Sequence, residues 1–462
     1  MSLLHKRNGY RVRSFCSQGN SLSQPRSTHP VLFLIMFVPM GISNGYVVVT
    51  LAYLLAAAGI DAVGIAALGA WSLLPQTWKV LGGPLVDTTL SNKTWFLISA
   101  IVTGLLMIAA SLITPSAANF SFIMALTFLF STASAFNALA ADSIMAYATV
   151  PEEKGRAGGW SQAGNLGGSG LGGGLGLWLS QNATPAGDAG LGQWLAAHTG
   201  LQGFAEMGLW LGQHASAGAV SGIAIGLVCL ASCLSLLFVH EPVVEHRAET
   251  FGHSVVNVGK DAWELVRSRK GLLAVAAFSL PIGVCAMTQL WSGVAGDWHA
   301  SANWVALVNG AMGGVLSMIG CIAGGWICDK MNRMTAFNIF SVVTAGAALA
   351  MAFAPRNETS FVVYVCLYMI LTGFCYAGFG AVTLEAIGKG AAATKYNLLA
   401  GLANVPIIYL SILDGKAHER WGSAGMLLTD AIVPVIGTAL FITFALATRR
   451  FYKGASVPSS GT

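Results

Sequence analysis

Long apolar stretches, each of twenty residues or more and set off from the next by charges, prolines or glycine clusters, constrain this chain more than anything else in it. A helix crossing the hydrocarbon core of a bilayer needs about 20 mostly apolar residues. Twelve stretches qualify: 30–58, 62–86, 94–114, 119–149, 157–181, 217–239, 271–296, 303–328, 334–354, 359–387, 394–413 and 424–448. Only 9% of the residues are charged, where a soluble protein carries about 25%. So few charges cannot cover a water-soluble body of this length. The expected fold is therefore an all-α polytopic membrane protein embedded in a lipid bilayer.

The basic residues sort by side. With the N-terminus placed in the cytoplasm, nearly every Lys and Arg falls in the tails or inner loops, among them Lys93, Lys154, Arg156, Lys260, Arg267, Lys330, Arg333, Lys389 and Lys395. Only Arg356, Lys416 and Arg420 fall outside. This is the positive-inside asymmetry, and it predicts both termini in the cytoplasm. The first apolar stretch is too long for a cleaved signal peptide, so it is expected to remain as an anchor. Segment 182–216 has no Lys or Arg but carries Trp194, Leu195, Trp210 and Leu211, which suggests interfacial helices, with a re-entrant pair as the other option.

Two loops repeat. Gly83-x-x-x-Asp87 follows the second stretch and Gly325-x-x-x-Asp329-Lys330-x-x-Arg333 the eighth, their aspartates 242 residues apart. Asp142 and Glu385, near the ends of the fourth and tenth stretches, are 243 apart. The chain thus reads as two pseudo-symmetric six-helix halves, 30–239 and 271–448, with a basic tail (1–29), a charged cytoplasmic linker (240–270) and a C-terminal tail (449–462). Glycine allows close approach of helix ends. Aspartate can cap a helix N-terminus, or pair with a cation, in one conformation and release it in another.

This doubled loop in a twelve-span chain resembles the hallmark of the major facilitator superfamily. Three further stretches, TWKVLGGPLVD (Thr77 to Asp87), DSIMAYATVPEEKGRAGG (Asp142 to Gly159) and ATKYNLLAGLANVP (Ala393 to Pro406), resemble the AmpG-type muropeptide permeases. That family also holds acetyl-coenzyme A transporters and some siderophore permeases. The resemblance implies a bacterial inner-membrane importer driven by the proton gradient, with anhydromuropeptides as the best-known cargo. Where those permeases carry a second acidic residue a turn before the one matching Asp142, this chain has Asn137, Ala138 and Leu139.

Charges within the apolar stretches are costly, by at least about 2.5 kcal/mol at mid-helix, and so mark candidate sites. Lys79 either faces a cavity, where it would bind a substrate carboxylate or pair with Asp142, or snorkels to the inner interface. For Asp142, a carboxyl shielded from water holds a proton more readily, as a proton-coupled carrier requires; the alternative is a structural ion pair with Lys79. Glu385 is expected to pair with Lys389 one turn on, and Asp297, Asp414 and Asp430 to be exposed helix-end charges. Gln76, Gln162, Asn165, Gln289 and Asn404 suit hydrogen bonding to a sugar or peptide cargo, or between helices. Trp71, Trp78 and Trp291 either stack on sugar rings or pack and mark the interface.

Other chemistries find little support. Gly168, Gly170 and Gly173 match G-x-G-x-x-G formally but lie in an apolar span without a preceding strand, so a dinucleotide site is rejected. No Walker motif, His-rich metal spacing or nucleophile elbow is present. The eight cysteines, nearly all in apolar runs and without a C-x-x-C pair, read as small hydrophobes. The basic residues do not interleave with aromatics, which argues against nucleic acid. The expectation is a monomeric secondary transporter of a small organic solute and protons, not an enzyme, with no cofactor or metal. Its rivals are a siderophore or acyl-coenzyme A permease, or a non-transporting assembly factor or sensor of the same fold.

Overall fold

The computed structural model of the chain describes residues 28–182, 217–239, 259–260, 262–388 and 392–454. The suggested interfacial helices of 182–216, most of the 240–270 linker, Lys389 and most of both tails lie outside the described residues.

Eight helices among the described residues are long and apolar enough to cross a membrane unaided. They are α1 (Val31–Ala57), α3 (Asn92–Ser111), α4 (Phe120–Ala148), α6 (Gly218–Leu237), α8 (Asn303–Lys330), α9 (Arg333–Ala352), α10 (Glu358–Ala386) and the run Ala392–Thr448. That last run holds two spans, α11 (392–421) and α12 (423–454), divided at Gly422, whose φ of 66° is outside the helical range. The three remaining expected spans fall short in length or apolarity for identifiable reasons. α2 (Ala62–Trp78) gives way to a 3-10 turn, Lys79–Gly82, and a short helix, Gly83–Thr88. α5 (Lys154–Asn182) is a continuous helix so rich in glycine that its apolarity is diluted. α7 (Arg269–Ser279) stops at Leu280 and Pro281, and Gly283 and Cys285 both take positive φ before short turns resume. Such a break within membrane depth is tolerated where it is packed in protein or lines a cavity.

Helix starts are specified locally. Asp61, Ser91, Ser268, Asn332 and Asn357 each accept a hydrogen bond from the backbone N–H three residues on, capping α2, α3, α7, α9 and α10. α5 and α11 are capped from elsewhere. Asp329, at the end of α8, accepts from the backbone N–H groups of Gly155 and Arg156 at 2.7 and 3.1 Å. Asp87, after α2, accepts from those of Ala393 and Thr394 at 3.3 and 3.2 Å, and from the Thr394 hydroxyl at 2.9 Å. Each half therefore caps a helix of the other, and the exchange is reciprocal.

The glycines of α5 face two ways. Gly164 and Gly172 press on the α1 backbone at Leu34 and Ile42, while Gly158 and Gly170 press on α10 and α8, where an added Cβ would meet Ala381 N and Gly314 Cα at 2.6 Å. One helix thereby serves as packing partner in its own half and as the seam to the other.

Apolar cores show where the halves join. At the end carrying the two aspartate loops, here the motif end, one buried cluster takes residues from both halves, including Phe37, Leu139, Ile144, Phe278, Val382 and Leu399. Toward the far end there are separate cores, one within the first six helices around Tyr46 and Phe130, the other within the last six around Trp291 and Tyr368. The halves are sealed together at the motif end.

Candidate functional site

Between the halves, above that seal, lies a cavity of about 170 Å³. Residues Gln76, Lys79, Asp142, Gln162 and Asn165 from the first six helices line it, and Asn404 from α11. Six of the seven polar residues singled out in the sequence thus come together. Gln289 does not; it ends a 3-10 turn beyond the α7 break and is not among the lining residues.

The two walls differ. Lys79 begins the 3-10 turn that ends α2, so the helix irregularity sits where the cation does. Asp142, 1% exposed, accepts a hydrogen bond from Asn397 Nδ2 to Oδ2 at 3.1 Å, while its Oδ1 has no partner. Lys79 and Asp142 attract each other electrostatically without forming an ion pair within 4.0 Å. Gln162 Oε1 accepts from Asn165 Nδ2 at 3.3 Å, and Gln76 Oε1 is buried without a partner. The opposite wall is largely aromatic: Phe278, Phe337, Tyr376, Phe379 and Tyr396. Phe278 packs on Phe379 and Phe337 with ring centroids at 5.0 and 5.7 Å. The charges and most of the amides on one side, rings with the Asn404 amide on the other, suit a solute with an anionic or polar end and a flatter apolar body.

Asn397 and Tyr396 carried no individual signal, since an amide or a tyrosine at membrane depth has many uses. They lie inside ATKYNLLAGLANVP, one of the stretches that carries the family resemblance. Asn137, where a second acid was looked for, is fully buried and donates to Phe96 O at 3.3 Å, away from the cavity.

Below the cavity, the loop residues form a latch. Gly83 and Gly325 sit where an added Cβ would meet Thr394 Cα at 2.8 Å and Gly155 O at 2.7 Å, so the loops can be this close only as glycine. Asp329 also binds Arg156 Nε at 2.9 Å, and Arg333 reaches Asp329, Glu385 and the Pro151 carbonyl. Lys154 donates to Leu384 O at 2.6 Å. Lys330 stands apart, over the ring of Trp326 at 5.7 Å. The latch and the cavity share elements: Ser143, next to Asp142, donates to Asp87, and Thr394 and Asn397 occupy the same turn of α11.

The remaining charges and tryptophans divide between expectation and correction. Glu385 pairs with Lys270 at 2.7 Å and Arg333 at 3.4 Å, because α7 and α9 begin beside it, while its expected partner Lys389 lies outside the described residues. Asp414 and Asp430 are 0% and 2% exposed, not solvent-facing; the turn at Gly422 folds both into helix contacts. Asp297, as expected, is exposed at a helix end, where it pairs with His418 and Ser423. None of Trp71, Trp78 and Trp291 lines the cavity: Trp291 packs on Tyr368 and Phe361 in the core, and Trp71 and Trp78 are exposed on α2.

Membrane-crossing helices in two sets, with a polar cavity between them and a contact network beneath it, are the architecture of a membrane transporter. The family model for the Major Facilitator Superfamily matches residues 31–413, and the chain belongs to that superfamily. Among solved structures it is similar to the E. coli fucose:proton symporter FucP (13% identity, TM-score 0.65, covering 90% of this chain and 98% of that one). A structure of FucP in the outward conformation gives 13% identity and a TM-score of 0.64 over 90% and 97% of the chains. The proton:xylose symporter XylE, bound to 6-bromo-6-deoxy-D-glucose, gives 11% and 0.60 over 90% and 96%. No curated protein sequence matches the chain.

Proposed function

We propose that this transporter imports an anionic organic solute together with protons, using Lys79 to hold the solute's acidic group and Asp142 to carry the proton. The observation behind the proposal is the pair itself: a cation and a shielded acid on one wall of the inter-half cavity, near enough to interact and not locked in a contact ion pair. Gln76, Gln162, Asn165 and Asn404 would hydrogen-bond the polar parts of the cargo, and the aromatic wall would pack its rings. The proton-coupled sugar carriers of the same fold support coupling to protons.

The mechanism follows from the shared turn of α11. With the motif end latched, the cavity takes proton and solute from the far side. Proton binding to Asp142 weakens its hold on Asn397, because a neutral acceptor binds an amide less strongly than a charged one. Asn397 is one turn from Thr394, so loosening it loosens the Asp87 cap and frees the motif end to open. The positive-inside asymmetry supports a cytoplasmic motif end and cytoplasmic termini in a bacterial inner membrane, with halves at 30–239 and 271–448 acting as one monomer.

Muropeptide-like cell-wall fragments, which combine sugar rings with carboxylates, fit this chemistry and the sequence resemblance. A cavity of about 170 Å³ is smaller than the roughly 300–1,000 Å³ of a typical ligand pocket, so such a cargo requires the halves to part further on loading. Uptake of labelled anhydromuropeptide into vesicles tests this reading. Saturable uptake that fails in Lys79→Met is expected. If a siderophore or acyl-coenzyme A is taken up instead, the cargo is replaced; if the protein moves no solute, the assembly-factor reading takes over.

A further inference from the structure

A second pair of acids lies away from the cavity. Asp414 on α11 and Asp430 on α12 stand the same number of residues before and after Gly422, near the far end of the last six helices. Both carboxyl groups are buried, and they interact electrostatically with each other. Asp430 Oδ2 accepts a hydrogen bond from the Tyr368 hydroxyl of α10 at 2.8 Å. Asp414 is 0% exposed, and neither of its oxygens has a partner among the described residues. One turn earlier on α11, Ser411 Oγ is also buried and unpartnered.

Among the described residues, neither carboxyl group has an ion-pair partner. Tyr368 and, at the α7 break, Cys285 are the titratable groups that face the pair. On the same helix, His418 pairs with Asp297 at 2.7 Å and Lys416 is exposed, and Arg356 lies over the ring of Trp298 at 4.3 Å. Two buried carboxylates that repel each other without a cation to offset the charge disfavour the doubly ionised state. Among the described residues no cluster of three or more His, Cys, Asp or Glu could hold a metal ion.

We propose that Asp414 and Asp430 share one proton and form a second proton-binding site, in the last six helices and separate from the Lys79 and Asp142 cavity. A proton from the far-side solution adds to an Asp414 oxygen, and the new hydroxyl donates to the Asp430 carboxylate, which keeps the Tyr368 hydrogen bond. The pair's charge goes from −2 to −1, and one of the two orphaned Asp414 oxygens gains a partner. Because α11 carries Asp414 near one end and Thr394 and Asn397 at the other, loading this site acts on the helix that holds the latch.

Infrared difference spectroscopy on the full-length protein in lipid nanodiscs, stepped in pH, reads carboxyl protonation without reference to transport. Wild type should show a protonated-carboxyl band that persists in Asp142→Asn and is lost in both Asp414→Asn and Asp430→Asn; Tyr368→Phe should shift it. Thermal unfolding checks each variant, and if Asp414→Asn does not fold, Asp430→Asn and Tyr368→Phe give the same reading. A band unchanged in the folded Asp variants would overturn the proposal. So would one that follows replacement of sodium by choline at fixed pH. Since no cargo is used, failure here is distinct from failure of the uptake reading.

Discussion

Asn397 of α11 reaches across the seam between the halves and donates from Nδ2 to Asp142 Oδ2 at 3.1 Å, while the same Nδ2 also donates to Ala393 O at 2.9 Å. The backbone N–H of Ala393 is in turn held by Asp87 at 3.3 Å. Within one turn of helix, the candidate proton site and the latch are therefore mechanically joined.

Asn397→Ala breaks that join and leaves Asp142 without a hydrogen-bond partner. A hydrogen bond to a charged group contributes about 1.5–3 kcal/mol, roughly a ten- to hundredfold effect on an equilibrium. The pH at which uptake is half-maximal should rise, since the ionised form of Asp142 has lost its stabilising donor. An unchanged pH profile would separate Asn397 from coupling.

Lys79→Met removes the cation and should raise the half-saturating concentration of an acidic cargo about tenfold or more, by the same charge-assisted magnitude, with little change for a neutral analogue. Lys79→Arg should retain part of the affinity. Equal losses for acidic and neutral cargo would point to a structural role.

The latch should respond to charge and to size. Asp87→Asn and Asp329→Asn keep the shape but remove the anion from the N-termini of α11 and α5, a loss of about 0.3–2 kcal/mol each. Gly325→Ala places a Cβ at 2.7 Å from Gly155 O and 2.9 Å from Gly159 Cα, both backbone, so α5 and α8 must separate. All three should increase thiol labelling of cysteines introduced at the motif end. Labelling at wild-type rates would show that these contacts do not hold that end shut.

At the far end, partial burial works against ionisation of Asp297, but hydrogen bonds from Ser423 and His418 outweigh it and hold the carboxyl below the usual aspartate range. A depressed carboxyl contributes stability above its unfolded value, about 3.9, and loses it as pH falls through the lower folded value. The site is partly exposed, so the contribution is within about 1 kcal/mol. Asp297→Asn should lower the melting temperature slightly at neutral pH, with the difference shrinking in acid. A difference that grows in acid would contradict this.

The sequence carried the helices well because apolar length and loop charge are local quantities. It also placed the latch aspartates, since a motif repeated at a fixed interval is visible without structure. The fates of Asp414 and Asp430 were not legible: their distance from a helix end suggests exposure, and only the packing of α10, α11 and α12 buries them. Gln289 stands apart from the cavity for a related reason, as the α7 break at Gly283 and Cys285 changes the register of everything after it. Asn397 became visible as a partner only once two helices from different halves were in contact.

Uptake by reconstituted protein under an imposed pH gradient, wild type against Asp142→Asn, tests the central claim most directly. Wild type should accumulate solute when the outside is acidic and stop when the gradient is collapsed. Asp142→Asn should exchange solute without accumulating it. Accumulation by the variant at the wild-type level, or wild-type uptake indifferent to the gradient, would contradict the assignment of Asp142 as the proton carrier.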